Sequence, residues 1–450
     1  MRRRLTVKPY VYNKKLRRRS VFGPWLIVLV IPAAAFSYWW GSHTPVASPQ
    51  PTIVQQTPAP AKDGTAAALK PGDILGIDSV QTFTPVETAA LARQNYGTAT
   101  LPVTVGVTKY TFHYISQLPT GQQITIYGRA YLPNDLNKNL PIFAFAPGTT
   151  GIGDECAASL ENVKVANWGN YDSHMAMYAS QGFAAVTTDY EGMRDPTRIH
   201  HYMVGELEGR AVLDSVRALE NLPEASGRLD TSNVFLAGYS QGGHAAFWAD
   251  KIASTYSPEI KPKGVIGFGP VMSVKETLTD VTRGANINWF GPYVLYSYGD
   301  YYQQSFGQVL LPHWENTLAT DVPAHCINTD IEYWGTKPAN VYTPQFLQAA
   351  ETDDLAAEYP ALDQDLDMNA VGADPTPSAK LINSGSEDNV VLPQQQQAEL
   401  PLLCNSSTGP VQLNIWPKAT HYTTMVVSLN YTLNWMHSIM KGQKAPTSCP

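Results

Sequence analysis

No CxxC pair occurs in this chain: its four cysteines, Cys156, Cys326, Cys404 and Cys449, stand far apart. Structural zinc sites draw thiolates from close pairs, so this spacing argues against a zinc module. No internal repeat is visible either, and no low-complexity tract extends beyond Gln394 to Gln397. Charge is missing from one long stretch, with no Asp, Glu, Lys or Arg between Arg19 and Lys62. Basic excess is confined to the first 20 residues, which hold nine Lys or Arg and no acid. Beyond them 22 basic residues face 38 acidic ones, about −16, so the body lacks a basic face for nucleic acid.

Within the uncharged stretch, residues 21–40 (VFGPWLIVLVIPAAAFSYWW) are mostly apolar. About 20 residues of helix rise about 30 Å, the thickness of a bilayer core. The basic segment 1–20 then holds the N-terminus in the cytoplasm, and Tyr38, Trp39 and Trp40 suit the far interface. A cleaved signal peptide is the competing reading, with a short apolar core from Trp25 and a cleavage site near Ala33-Ala34-Ala35. Under either reading the body leaves the cytosol, periplasmic or extracellular, anchored or secreted. Residues 41–70, rich in Pro, Thr, Gln and Ala, read as an extended tether. In an exported body, an even number of cysteines reads as disulfides.

A body of residues 71–450 is long enough to bury a large core around one sheet with insertions. Two alternating runs, VTKYTFHYI and QITIYGRAYL, flank Pro119-Thr120-Gly121 and predict an antiparallel hairpin. Short apolar strands then alternate with helical patterns: strands at 142–146, 183–188, 233–238 and 264–268, helices at 173–181, 206–221 and 242–255. Such an alternation predicts an α/β fold on a mostly parallel, buried sheet. It stops over about 270–376, a stretch rich in Tyr, Trp, Asp and Pro, and resumes with strands at 380–385 and 411–416 and helices from about 392 and over 422–440. The interruption predicts a helical cap insertion over a site. Its rings, among them Trp289, Tyr293, Tyr298, Trp314 and Trp334, either meet an apolar or aromatic substrate or form the cap's own core.

Gly238-Tyr239-Ser240-Gln241-Gly242 fits G-x-S-x-G directly after an apolar strand and at the start of a helix, the context of a nucleophile elbow. Ser240 is the candidate nucleophile. A serine hydroxyl needs a base, and in this architecture the acid and then the histidine follow on loops after late strands. His421, in PKATHYT after strand VQLNIW, fits the base; His437 and His244 lie within helices and read as packing residues. Asp388, in SGSEDNVV, fits the acid that orients the imidazole, with neighbouring Glu387 as rival. Oxyanion donors are expected from the backbone N–H of Gln241 and of Thr149, with Thr150 second, in Pro147-Gly148-Thr149-Thr150-Gly151. No metal or cofactor is expected. Asp363, Asp365 and Asp367 resemble the start of a calcium loop, but Met368 stands where glycine is needed.

The segments PGTTGIGDECAAS, TDYEGM, HHYMVGELEGRAVLDSVRALENLP, GYSQGGHAAFWA and SEDNVV, with HYT, resemble the secretory lipase family of α/β-hydrolases, the Candida antarctica lipase A-like group and its bacterial relatives. That resemblance implies an α/β-hydrolase fold, metal-free hydrolysis of carboxylic esters (lipase or carboxylesterase), and the catalytic set Ser240, Asp388 and His421. It also implies the disulfides Cys156–Cys326 and Cys404–Cys449. Fungal members place an Asp beside the oxyanion loop where this chain has Gly148-Thr149-Thr150; Asp154 is the nearest acid. The expected partner is an ester or lipid small molecule, with no obligate protein partner evident. A serine peptidase or amidase of the same fold, or an inactive surface-binding protein, remain the alternatives.

Overall fold

A nine-stranded sheet runs through the computed structural model, which describes residues 68–135, 139–162 and 167–450. Its strands are β1 (Ile74–Phe83), β2 (Val107–Gln117), β3 (Gln123–Pro133), β4 (Leu140–Ala146), β5 (Ala184–Thr188), β6 (Leu229–Tyr239), β7 (Pro262–Phe268), β8 (Ala379–Gly385) and β9 (Val411–Trp416). They lie in the order β1-β2-β3-β5-β4-β6-β7-β8-β9. From β5 to β9 all neighbours are parallel; β1, β2 and β3 pair antiparallel, as does β3 with β5. Every residue of β4, β5 and β8 is buried, which is what helices on both faces of a parallel sheet require. The predicted hairpin is β2 and β3. Strand β1, absent from the sequence reading, extends it by a third strand whose outer edge is largely exposed.

One face of the sheet is covered by α3 (Gly205–Asn221), α4 (Gln241–Tyr256) and α12 (Pro393–Ser406), the other by α1 (Pro85–Tyr96), α2 (Tyr171–Ser180) and α13 (Thr424–Met440). On α3, every third or fourth position is apolar and buried, including Leu207, Ala211 and Leu219. Gly209 lets it approach α4, since a Cβ there would lie 2.9 Å from the Ala249 nitrogen.

Between β7 and β8 the chain leaves the sheet and forms only helices: α5 (Val274–Thr279), α6 (Phe290–Tyr301), α7 (Pro312–Ala324), α8 (Ile327–Tyr333), α9 (Pro344–Thr352), α10 (Leu355–Glu358) and α11 (Pro360–Met368). The predicted cap aromatics mostly pack on one another. Phe290, Tyr293, Tyr298, Trp334, Tyr342 and Phe346 are buried in a core formed mainly by this insertion, joined by Ile152, Tyr202 and Leu207 from outside it. The acidic run at Asp363 is helical in α11, where Asp363 and Asp367 pair with Lys275 at 2.7 and 3.3 Å. Disulfides join Cys156 to Cys326, tying the loop after β4 to the cap, and Cys404 to Cys449, tying α12 to the C-terminal residues.

The basic segment 1–20, the span or signal at 21–40 and nearly all of the tether 41–70 lie outside the described residues. Among the described residues no helix is long and apolar enough to cross a membrane.

Candidate active site

Strand β6 reaches the carboxyl edge of the sheet at Tyr239, and α4 begins two residues later. Between them Ser240 sits at φ 56°, ψ −116°, a region that L-residues rarely occupy. The turn closes only because both flanking positions are glycine. A Cβ on Gly238 would lie 1.9 Å from the Gly242 carbonyl oxygen, and one on Gly242 1.9 Å from that of Ala146. This crowding is the physical content of the G-x-S-x-G spacing. The strained turn is braced from both sides, with Ser240 N donating to Phe268 O at 3.0 Å and Val271 N donating to Ser240 O at 3.3 Å.

Asp388 lies in the turn after β8, and His421 in the loop between β9 and α13. The two are 33 residues apart, yet His421 Nδ1 donates to Asp388 Oδ2 at 2.8 Å with both side chains buried. The other carboxylate oxygen, Oδ1, accepts from Val390 N at 2.9 Å and Val391 N at 3.0 Å, which fixes the carboxylate plane. Glu387, by contrast, is exposed. Behind the pair stands Gly269 at φ 53°: a Cβ there would come within 2.9 Å of His421 Nδ1 and 3.2 Å of Asp388 Oδ2. The Tyr239 ring supports the imidazole from the elbow side, centroids 4.8 Å apart.

Ser240, His421, Thr149, Trp289, Ile331 and Tyr422 are among the residues lining one cavity of about 190 Å³. Ser240 Oγ has no hydrogen-bond partner among the described residues. Serine–histidine contacts in unliganded sites are often long and tighten in the substrate complex.

The loop after β4 is held by its carbonyls. Tyr190 Oη donates to Pro147 O at 2.6 Å, Tyr171 Oη to Gly148 O at 3.2 Å, and Ile327 N to Thr150 O at 2.9 Å. Thr149 lines the cavity, with its hydroxyl on Tyr202 Oη at 2.8 Å, whereas Thr150 is buried away from it. Asp154 is not among the lining residues. The Gln241 amide opens α4, where helix N–H groups lack intrahelical acceptors and carry the positive end of the dipole.

Sequence reasoning missed what lies beneath Gln241. Its side-chain Nε2 donates to Glu208 Oε1 at 2.7 Å and to His200 Nε2 at 2.9 Å, all three groups being buried. Burial lowers the His200 pKa, outweighing the nearby Glu208 and Glu191 carboxylates, so its neutral ring can accept at Nε2 while Nδ1 donates to Glu191 O at 3.1 Å. Glu208 also accepts from Met203 N at 3.0 Å and meets His244 Nδ1 at 2.7 Å. His244, expected merely to pack, is thus part of a buried polar network. A glutamate on the buried face of the first turn of α3, among Leu207, Ala211 and Val212, was the available signal.

The parallel sheet, the elbow after β6 and the late acid and histidine loops define an α/β-hydrolase. Solved structures agree on that fold. The rice cell wall degrading esterase LipA from Xanthomonas oryzae superposes with a TM-score of 0.65 at 19% identity, covering 83% of this chain and 97% of that one. The closed state of Candida antarctica lipase A gives 0.60 at 17% identity over 85% of each chain.

A family model described as Secretory lipase matches residues 169–447, and the chain belongs to that family. Lipase A of Moesziomyces aphidis is 36% identical over 104 residues, 23% of this chain and 21% of that protein. A secreted triacylglycerol lipase of Malassezia furfur is 33% identical over 156 residues, 34% of this chain and 36% of that protein. The chain thus aligns with about a fifth to a third of these curated relatives.

Proposed function

We propose that the protein hydrolyses carboxylic esters through an acyl-enzyme on Ser240. The observation that carries this reading is the buried His421–Asp388 bond of 2.8 Å, set in the same cavity as a serine on a strained elbow. Asp388 accepts at Nδ1 of His421, which leaves Nε2 unprotonated and free to act as base. Ser240 Oγ attacks the ester carbonyl as its proton passes to His421. The N–H groups of Gln241 and Thr149 hold the oxyanion, His421 returns the proton to the departing alcohol, and water releases the acid by the same path in reverse. Family membership and the lipase relatives favour esters over amides as substrates.

The test is hydrolysis of p-nitrophenyl butyrate by residues 70–450 and by its Ser240→Ala form. We expect activity in the first and a loss of at least about 10³-fold in the second. Full activity in Ser240→Ala would remove the assignment, and faster cleavage of aminoacyl anilides than of esters would replace it with an amidase. Residues 1–40 we read as export machinery, anchor or cleaved signal; fractionation of tagged full-length protein tests this, and a cytosolic catalytic body would refute it.

A further inference from the structure

Resting on that reading, we propose that α8 is a fixed wall which limits the substrate to short acyl chains, and that Ile331 is its specificity-determining residue. The geometry gives the substrate a direction. His421 must return a proton to the leaving alcohol, so the alcohol lies on its side of the cavity, beside the exposed Tyr422. The acyl group then takes the remaining apolar lining, to which Trp289, Ile327 and Ile331 contribute. Ile327 and Ile331 are one helical turn apart and share a face of α8.

Size sets the limit. A cavity of about 150 Å³ accommodates benzene, so the roughly similar 190 Å³ here, which the alcohol also shares, leaves room for an acyl group of at most about six carbons. Longer chains gain buried room on this side only if α8 gives way, and α8 is fastened at several points. Cys326, the residue before its first turn, is bonded to Cys156. Cys326 and Gly151 also form a backbone bridge, and Ile327 N donates to Thr150 O at 2.9 Å. On the far side, buried Asp330 accepts from the Tyr293 hydroxyl and, at 3.0 Å, from Trp334 Nε1. The wall is therefore bound to the oxyanion loop at one side and to the cap core at the other. Across the cavity, Trp168 Nε1 reaches Asn328 Oδ1 at 3.3 Å. Opening on this side requires breaking a covalent bond as well as buried polar contacts.

The experiment is kcat/KM on p-nitrophenyl esters of two to sixteen carbons for the wild type, Ile331→Ala, Ile331→Trp and a Cys156→Ala/Cys326→Ala double variant. We expect the wild type to peak at or below about six carbons and to lose at least about tenfold by twelve. Ile331→Ala should raise the twelve-to-six-carbon ratio about fivefold or more, and Ile331→Trp should move the optimum to acetate. Where the double variant folds, judged by its melting curve, it should shift the ratio in the direction of Ile331→Ala. A wild-type optimum at twelve or more carbons, or an Ile331→Ala ratio equal to wild type, overturns the proposal while leaving the esterase reading intact. If no ester is cleaved, quenching of tryptophan fluorescence by hexanoate and dodecanoate in Ser240→Ala decides the matter independently. Hexanoate binding, with dodecanoate admitted only after adding Ile331→Ala, supports the wall; equal dodecanoate binding with and without that change refutes it.

Discussion

Replacing Asp388 by asparagine tests the site more sharply than deleting the nucleophile, because the structure dictates which way the new amide must face. Oδ1 accepts two backbone N–H groups, from Val390 and Val391, and Oδ2 accepts from His421 Nδ1. With the asparagine oxygen kept at Oδ1, both N–H groups stay satisfied and the amide NH₂ faces His421. The ring must then accept at Nδ1 and carry its proton on Nε2, where it is no longer a base. The flipped amide would preserve the working tautomer but set NH₂ against two buried donors. Orphaning two buried N–H groups costs about 1–3 kcal/mol each, so the flip is disfavoured by roughly 2–6 kcal/mol. At 1.36 kcal/mol per decade, the competent form falls to between about one part in 30 and one in 10⁴.

We therefore expect kcat/KM to drop by roughly 30- to 10⁴-fold with KM little changed, and stability to change by no more than about 2 kcal/mol, since every hydrogen bond retains a partner. The assay is steady-state hydrolysis of p-nitrophenyl butyrate, paired with urea unfolding. Glu387→Gln is the control and should leave the rate unaltered, because that side chain is exposed. A loss below tenfold in Asp388→Asn would refute the orientation argument and, with it, the assignment of the acid.

Two further outcomes follow from the surroundings of the site. Glu208→Ala orphans donors from Gln241, Met203 and His244 and should cost about 3–5 kcal/mol in urea unfolding, whereas Glu208→Gln, which can still accept from the first two and donate to His244, should keep most of the stability. His201 bridges Glu191 and the cap residue Asp300, each at 2.9 Å; burial lowers its pKa, but the two carboxylates outweigh that and leave it raised. The bridge is thus fully stabilising below the ordinary value of about 6.5 and is lost as pH rises through the raised one, so the melting temperature should fall more between about pH 6 and pH 9 in wild type than in His201→Gln.

The legible parts were those where one local pattern had one physical outcome. Runs such as IFAFA and KLINSG cannot expose either face, so they announced buried parallel strands within two residues of their true limits. Strand β1 escaped notice because its residues alternate poorly and are largely exposed at the sheet edge. Helix α1 carries a local start signal in the sequence, Thr84 with Glu87 in a reciprocal capping box. The last helix begins at Thr424 rather than 422, since Tyr422 and Thr423 belong to the turn that presents His421.

By itself the sequence determined the α/β alternation, the place of the cap and the elbow at Ser240, because each rests on residues close in the chain: apolar periodicity, or glycines that must stand two positions either side of one serine. It also narrowed the proposed acid and base to single loops. Beyond what the family resemblance implied, tertiary structure decided which groups meet. The choice of Asp388 over Glu387 depends on which neighbour turns inward. The role of the cap aromatics depends on whether rings face one another or the cavity. The network from Glu208 through Gln241 to His200, and the Ile327–Thr150 bond that pins α8 to the loop after β4, join residues from 33 to 177 positions apart. Contacts at such separations are selected by the packing of whole elements, and no local pattern encodes them.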